Sequence, residues 1–316
     1  MAARLVTVFG GSGFIGRYII QRLAQRGWLI RVAVRRPDAA LFLKPLGDVG
    51  QITPIAVNLR DDASVAAAVD GAEAAINLVG ILYESGRQTF AAVHVEGARR
   101  AAAAAKAAGA QRFIQMSAIG ADARSPSDYA RSKAAGEAAV RVVFAEASIV
   151  RPSIVVGPED DFFNRFAAMA RLSPVLPLIG GGRTRFQPVY VGDVADAFLK
   201  LIEDPATRGR TYELGGPRVY SFKELLQLML RETRQRRLLV PLPFALADLQ
   251  AAVLELLPRP PLTRDQVRML RRDNVVAPGA STLADLGIRP TAIEIVIPSY
   301  LDRYRSGGRF GGAPSP

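Results

Sequence analysis

The sequence predicts a doubly wound α/β fold: a parallel sheet with helices on both faces, joined to a smaller, discontinuous carboxyl-terminal lobe. Two observations carry this. The turn Gly10-Gly11-Ser12-Gly13-Phe14-Ile15-Gly16 follows an apolar strand pattern over Leu5–Phe9 and opens an amphipathic helix marked by Ile15, Ile19, Ile20 and Leu23. Strand and helix periodicities then alternate through the first half of the chain.

Gly10, Gly13 and Gly16 fall at GxxGxxG spacing. Such a turn bends sharply, admits a diphosphate to the backbone and lets the helix close on the strand; a Cβ obstructs each task. The free N–H groups at the helix start, around Phe14 and Ile15, face the anion. Leu29–Val34 is the next strand, Gln51–Val57 a third, Asp62–Val69 a helix, Ala74–Val79 a strand and Gln88–Ala108 a long alanine-rich helix. The strand Arg112–Ser117, the helix Ser127–Ala145 and the strand Ser148–Val156 complete the first half. A cofactor belongs at the carboxyl ends of such strands.

The second half is less regular and richer in proline. Phe162–Arg171 and Val194–Ile202 read as helices, and Arg210–Leu214 as a strand returning to the sheet. The expected division is therefore a dinucleotide-binding domain over 1–157 with a return segment at 184–216, and a smaller lobe over 158–183 and 217–305. The Gly/Pro/Ser-rich tail 306–316 is expected to be disordered. Helix Phe222–Arg231 leads into the basic run Arg234-Gln235-Arg236-Arg237 and the apolar segment Leu238–Leu257, broken by Pro241 and Pro243. That segment reads either as a core helix of the smaller lobe or as a docking surface for another subunit or for lipid. In the second case Arg234, Arg236 and Arg237 meet acidic subunit groups or lipid headgroups.

Composition excludes several chemistries. Among 316 residues there is no cysteine, which rules out disulfides and thiolate chemistry, and His94 is the only histidine, so no metal site or Ser-His-Asp triad is expected. No apolar run is long enough to cross a bilayer, and with the first strand beginning close to Met1 no signal peptide is expected. The formal charge of +12 rests mostly on arginine, with five lysines among 41 basic residues, and reads either as compositional bias or as attraction to an anionic partner: a phosphorylated cofactor, an acidic subunit or a membrane surface. The basic residues are spread out, without interleaved aromatics, so nucleic acid is not a predicted partner.

Arg35 and Arg36 follow the second strand, where an NAD-specific fold places an acidic residue against the ribose hydroxyls. Two guanidiniums there suit the 2′-phosphate of NADPH. Tyr129 and Lys133 share one helix face at i and i+4. An ammonium beside the phenol is expected to favour phenolate, and Lys133 can also hold the nicotinamide ribose. Ser117 ends the preceding strand and completes the pattern.

The glycine turn, Tyr129-Ala-Arg-Ser-Lys133 and Arg151-Pro152-Ser-Ile-Val-Val-Gly157-Pro158 resemble the extended and atypical short-chain dehydrogenase/reductase superfamily. Asn77-Leu-Val-Gly-Ile-Leu82, the stretch Tyr129–Glu137, Gly157-Pro-Glu-Asp-Asp-Phe-Phe-Asn164 and Gln187-Pro-Val-Tyr-Val-Gly-Asp193 resemble one branch of it, the nucleotide-binding accessory subunit of respiratory complex I, NADH:ubiquinone oxidoreductase, in a bacterial form. The similarity runs from the first strand to about Tyr304. It implies a tightly bound NADPH outside the electron path, and a structural role among complex I subunits beside the quinone-reactive region. The expected location is peripheral, at the cytoplasmic side of the inner membrane. It also implies that Gly10, Gly13 and Gly16 hold the diphosphate and that Arg35 and Arg36 hold the 2′-phosphate. Asn58 would fall near the adenine, with Leu59 beside it as a cofactor-binding residue, Val79 and Gly80 beside the adenosine ribose, Tyr129 and Lys133 on the nicotinamide ribose, and Pro152 and Ile154 near the nicotinamide.

Two positions depart from active relatives. Asn-Val-x-Gly, which completes a proton relay, reads His94-Val-Glu-Gly97, and the Ser/Thr that polarises a carbonyl is Ile119. His94 is expected to pack or to lie on a helix surface. The preferred reading is a non-catalytic accessory subunit. Its rivals are an NADPH-dependent reductase or isomerase acting on a quinone-, isoprenoid- or sugar-like substrate, and a binding module that senses NADPH.

Overall fold

The computed structural model describes residues 4–258 and 260–305, so the tail expected at 306–316 lies outside the described residues. In chain order the elements are β1 Leu5–Phe9, α1 Phe14–Gln25, β2 Leu29–Val34, β3 Ile52–Ala56, α2 Asp62–Val69, β4 Ala74–Asn77, α3 Ala98–Ala107, β5 Arg112–Met116, α4 Asp128–Val143, β6 Ser148–Pro152 and β7 Val155–Val156. There follow α5 Phe162–Leu172, β8 Val175–Ile179, β9 Arg185–Phe186, β10 Val189–Tyr190, α6 Val191–Glu203, β11 Thr211–Leu214, β12 Tyr220–Ser221, α7 Phe222–Glu232, β13 Leu238–Leu242, α8 Phe244–Leu254, α9 Arg264–Met269, α10 Ile293–Val296 and α11 Pro298–Leu301.

The chain divides into two units: Met1–Pro152, Gly192–Leu214 and Pro278–Ile288 form the first, and Ser153–Val191, Gly215–Ala277 and Arg289–Pro316 the second. The return to the first unit thus begins at Gly192, and a short segment near residue 280 joins it, bridging Tyr212 to Ser281.

The first unit holds a seven-stranded sheet in the order β11-β6-β5-β4-β1-β2-β3. Every neighbouring pair is parallel. The chain runs outward from β1 through β2 to β3, then returns to β4 on the other side of β1, so the strand order reverses at β1. That reversal is where open α/β sheets leave a crevice for a ligand. Most expected strands and helices of the first half are present with ends shifted by a few residues. The strand expected over Ser148–Val156 is split into β6 and β7, the latter pairing with β10 in a separate sheet, and the long helix Gln88–Ala108 differs in kind. It opens with a π-helical stretch, Ala91–Gly97, before the regular turns of α3. In α3, Ala98, Ala101, Ala102 and Ala105 are buried, sharing a core with Phe9, Phe113, Val140 and Phe144. Side chains of one carbon allow this stripe to approach its neighbours closely, which explains an alanine-rich helix in a core position.

The second unit has its own core, built around Phe163, Phe186, Phe222, Leu225, Met229 and Tyr300, with Phe162 and Phe166 against it. The α7 helix starts with a reciprocal capping box between Ser221 and Glu224. Asp160 is buried; it accepts the backbone N–H groups of Gly157, Phe163 and Asn164 and the Tyr300 hydroxyl, and burial raises its carboxyl above the ordinary range.

Leu238–Leu257 corrects one expectation. It is neither a single helix nor a core element: β13 pairs in parallel with β8, Pro243 stands at the start of α8, and only Ala247 and Ala251 of α8 are buried. Proline cannot sit inside a helix without losing a hydrogen bond and colliding with the previous turn, so Pro241 and Pro243 enforce the strand-then-helix form.

The approach of α1 to the glycine turn is close, since a Cβ on Gly16 would lie 2.4 Å from the Gly11 carbonyl oxygen. Gly16→Ala should therefore force the helix outward and cost about 1–3 kcal/mol, the usual range for overpacking. Urea unfolding measures it; an unchanged midpoint would show that α1 can retreat freely.

Candidate nucleotide-binding site

A cavity of about 370 Å³ opens at the strand-order reversal of the first unit. The glycine turn supplies Phe9, Gly10, Ser12 and Gly13 to its wall, and the turn after β2 supplies Ala33, Val34 and Arg35. Val57–Arg60 follow β3, Leu78–Ile81 follow β4, and Arg87, Gln88, Ala92 and Val93 close the remaining side. Gly10 takes a left-handed φ of 75°, which lets its N–H donate to the Ala33 carbonyl at 3.0 Å while its own carbonyl accepts from Gly13 at 3.1 Å. Gly13 is the amino-terminal cap of α1 and makes no side-chain cap bond, so the open helix end beside this wall suits an anion.

Seven of the sixteen cofactor-binding residues expected from the sequence line this cavity: Gly10, Gly13, Arg35, Asn58, Leu59, Val79 and Gly80. Phe14, Ile15 and Gly16 continue into α1 behind it, and Arg36 is exposed beside Arg35 without lining it. The Asn58 side chain accepts the Arg60 N–H at 3.1 Å, fixing the turn after β3. Arg60 and Arg87 were not singled out in the sequence. Arg60 could have been, standing two residues past Asn58 in a strand–helix turn; its guanidinium donates to the Arg87 carbonyl at 3.4 Å. Three arginines, Arg35, Arg60 and Arg87, thus border the cavity, and no carboxylate among the described residues lines it.

Tyr129, Lys133 and Ser117 converge on α4 and the end of β5. The Lys133 ammonium is buried, donates to the Met116 carbonyl at 3.1 Å and lies 6.0 Å from the centre of the Tyr129 ring. Burial lowers Lys133 to about 8, with the Glu137 carboxylate working in the opposite direction. The expectation that this ammonium draws the Tyr129 phenol down is not met: burial pushes Tyr129 up to about 12. Desolvation opposes phenolate more strongly than a charge 6.0 Å from the ring centre favours it. Tyr129 is therefore a protonated hydroxyl across the neutral range.

Ser117 donates its hydroxyl to the Glu137 carboxylate. Glu137 also accepts two bonds from Arg151, at 2.6 and 2.8 Å, and Arg151 reaches Glu213 at 3.4 Å. The Ser117 proton is thus held by an internal charge network joining α4, β5, β6 and β11. Glu137 was missed as a functional residue, although Tyr129, Lys133 and Glu137 stand at i, i+4 and i+8 on one helix face. Ile119 is buried and its N–H donates to the Pro152 carbonyl at 3.0 Å, so no hydroxyl takes the carbonyl-polarising place. Ile154 belongs to the second unit, where it packs on the core and its carbonyl accepts from Val189.

A glycine turn under a reversed strand order, with a Tyr–Lys pair on the helix after β5, defines a Rossmann-type nucleotide-binding protein of the short-chain dehydrogenase/reductase kind. The NAD dependent epimerase/dehydratase family matches residues 6–215. Over 324 aligned residues the chain is 38% identical to the mitochondrial NADH dehydrogenase [ubiquinone] 1 alpha subcomplex subunit 9 of Arabidopsis thaliana, covering 98% of this chain and 81% of that one. It is 38% identical over 210 residues to a ceramide reductase of Caulobacter vibrioides, covering 65% of this chain and 62% of that protein. The Thermus thermophilus UDP-glucose 4-epimerase in complex with NAD superposes with a TM-score of 0.69 at 21% identity, over 95% of this chain and 98% of that one, and shares the fold. The chain belongs to the NAD dependent epimerase/dehydratase family and, within it, to the family of the Arabidopsis subunit.

Burial of Lys133 has a measurable consequence. The unfolded chain keeps its lysine proton to about pH 10.4, whereas the folded protein keeps it only to about pH 8. Between those values unfolding takes up a proton, so stability rises with pH. Relative to Lys133→Met, the nucleotide-free wild-type protein should gain up to about 1.4 kcal/mol per pH unit from pH 8 to 9.5, before Tyr129 titrates in the unfolded chain. Urea unfolding across that range checks it, and a constant difference between the two proteins contradicts it.

Proposed function

We propose that the protein is an NADPH-binding, non-catalytic accessory and assembly subunit of respiratory complex I, peripheral at the cytoplasmic side of a bacterial inner membrane and close to the quinone-reactive region. The observation that carries the reading is the 38% identity to a complex I subunit over 98% of the chain. The site geometry supports it: Ser117 is committed to Glu137, Ile119 offers no hydroxyl, and the Tyr129 proton is held tightly by burial.

Arg35 on the cavity wall, with Arg36 beside it, supports NADPH over NADH. Replacing both by serine should weaken NADPH about 100-fold or more, because hydrogen bonds to a charged group contribute about 1.5–3 kcal/mol each, and leave NADH within about threefold. Calorimetry with both nucleotides decides between this and an NAD-preferring site.

The partner surface we assign is the outer face of β13 and α8. Leu238, Val240, Leu246, Leu249, Val253, Leu256 and Leu257 are each between 46% and 84% exposed. The acidic groups beside them are already matched, Asp248 to Arg271 at 2.6 Å and Glu255 to Arg264 at 2.8 Å, so the ridge presents apolar surface bordered by exposed Arg234 and Arg236. A complementary subunit of complex I with an acidic rim fits it. In a native membrane preparation, the tagged protein should co-migrate with complex I and release NADPH on denaturation. Leu249→Glu with Val253→Glu should abolish co-migration while the melting temperature falls by no more than about 2 °C, since both positions are exposed. Retention on membranes that lack complex I would assign the ridge to lipid headgroups instead.

A second reading, an NADPH-dependent reductase or isomerase acting on a quinone-, isoprenoid- or sugar-like substrate, is favoured by the retained Tyr129–Lys133 pair and by the reductase relative. Oxidation of bound NADPH by such a compound, abolished in Tyr129→Phe, would establish it.

A further inference from the structure

His94 is the only histidine of the chain and stands where a proton relay would carry asparagine. It is 2% exposed and lies within the π-helical stretch Ala91–Gly97, whose Ala92 and Val93 face the nucleotide cavity. The Ile81 N–H donates to its Nε2 at 3.0 Å. An imidazole nitrogen that accepts cannot also carry the proton, so the neutral ring holds its hydrogen on Nδ1. That nitrogen lies 2.8 Å from the Ser132 hydroxyl and donates to it, and Ser132 in turn donates to the Tyr129 carbonyl at 2.7 Å.

Packing fixes the ring on its remaining sides. It stacks on Phe90 with centroids 5.3 Å apart and meets the edge of Tyr129 at 5.5 Å. The backbone of His94 lies so close to α4 that a Cβ on Gly136 would sit 2.1 Å from its carbonyl oxygen. On the other side of the ring, a Cβ on Gly80 would be 3.5 Å from Nε2. The titratable groups facing it are Lys133 and Tyr129, both on α4. Burial and the Lys133 charge hold the imidazole at about 3, against the opposing effect of the Ile81 bond.

We infer that His94 is a positioning residue for the nucleotide pocket: its neutral imidazole ties the wall segment Leu78–Ile81 to α4. This rests on the nucleotide reading of the cavity. The segment itself is irregular backbone after β4, and the imidazole is the side-chain partner that satisfies the Ile81 N–H. Removing the acceptor leaves that N–H without its partner and frees Gly80 and Ile81 to move from the position that shapes the wall. Through Ser132, the same ring fixes the first turn of α4 and with it Tyr129.

The test uses the full chain and NADPH as probe. His94→Leu keeps the bulk and removes the acceptor; His94→Gln restores an acceptor at about the reach of Nε2. Calorimetry should show NADPH weakened about tenfold in His94→Leu and within about threefold of wild type in His94→Gln. Because the chain has a single histidine, ring ¹⁵N NMR of the wild type reads it alone: the Nδ1–H tautomer, without titration between pH 5 and 8, is expected. That spectrum keeps the inference testable should His94→Leu fail to fold. Ring titration near pH 6.5, an Nε2–H tautomer, or equal NADPH affinity in wild type and folded His94→Leu overturns the positioning role. A wild type that takes up neither NADPH nor NADH overturns the nucleotide reading instead.

Discussion

The contact between α1 and the turn at the end of β1 is the constraint on which the candidate nucleotide site depends. A Cβ at Gly16 would stand 2.4 Å from the Gly11 carbonyl oxygen, so the helix packs on the strand by backbone approach. This places the open amino end of α1 beside Gly10 and Gly13, at the position where strand order reverses. The other walls come from turns after β2, β3 and β4, which the parallel register brings to the same sheet edge. A shift of α1 outward would therefore disturb the anion site before it disturbed the sheet.

The α4 helix imposes a second constraint, electrostatic in origin. It buries Lys133 and Glu137 one turn apart, with Arg151 and Glu213 completing the set. Two cations and two carboxylates form a nearly balanced cluster, which limits the cost of desolvating charge. Lys133 still suffers from burial, and a negatively charged nucleotide in the cavity would oppose that penalty. Binding and folding are then linked: a ligand that favours the ammonium also favours the native state.

Much of this was legible in the sequence because it follows from backbone demands. Glycines 10, 13 and 16 announced the turn, and period-two and period-3.6 patterns placed the strands and helices. Three features were not legible. The π-helical stretch at Ala91–Gly97, whose His94 backbone lies close against Gly136, is not reported by local periodicity. For Leu238–Leu257 the sequence left a core helix and an exposed docking surface both open, and which one holds depends on the neighbours the tertiary fold supplies. The direction of the Tyr129 shift needed the degree of burial; the i, i+4 spacing supplied only the proximity of Lys133.

The retained Tyr–Lys pair is consistent with a scaffold for reasons internal to the site. A catalytic tyrosine must exchange its proton, and burial that lifts Tyr129 to about 12 makes phenolate costly. A hydroxyl that only donates a hydrogen bond to a ribose loses nothing by that same burial, since the donor stays protonated at every physiological pH. Lys133, lowered to about 8, remains mostly charged near neutrality and keeps its bond to the Met116 carbonyl. With Ser117 turned to Glu137 and Ile119 apolar, the residues that would transmit or receive a proton are engaged elsewhere. Selection for binding alone would preserve this arrangement. Selection for turnover would require a polar group at position 119 and a route for the proton leaving Tyr129.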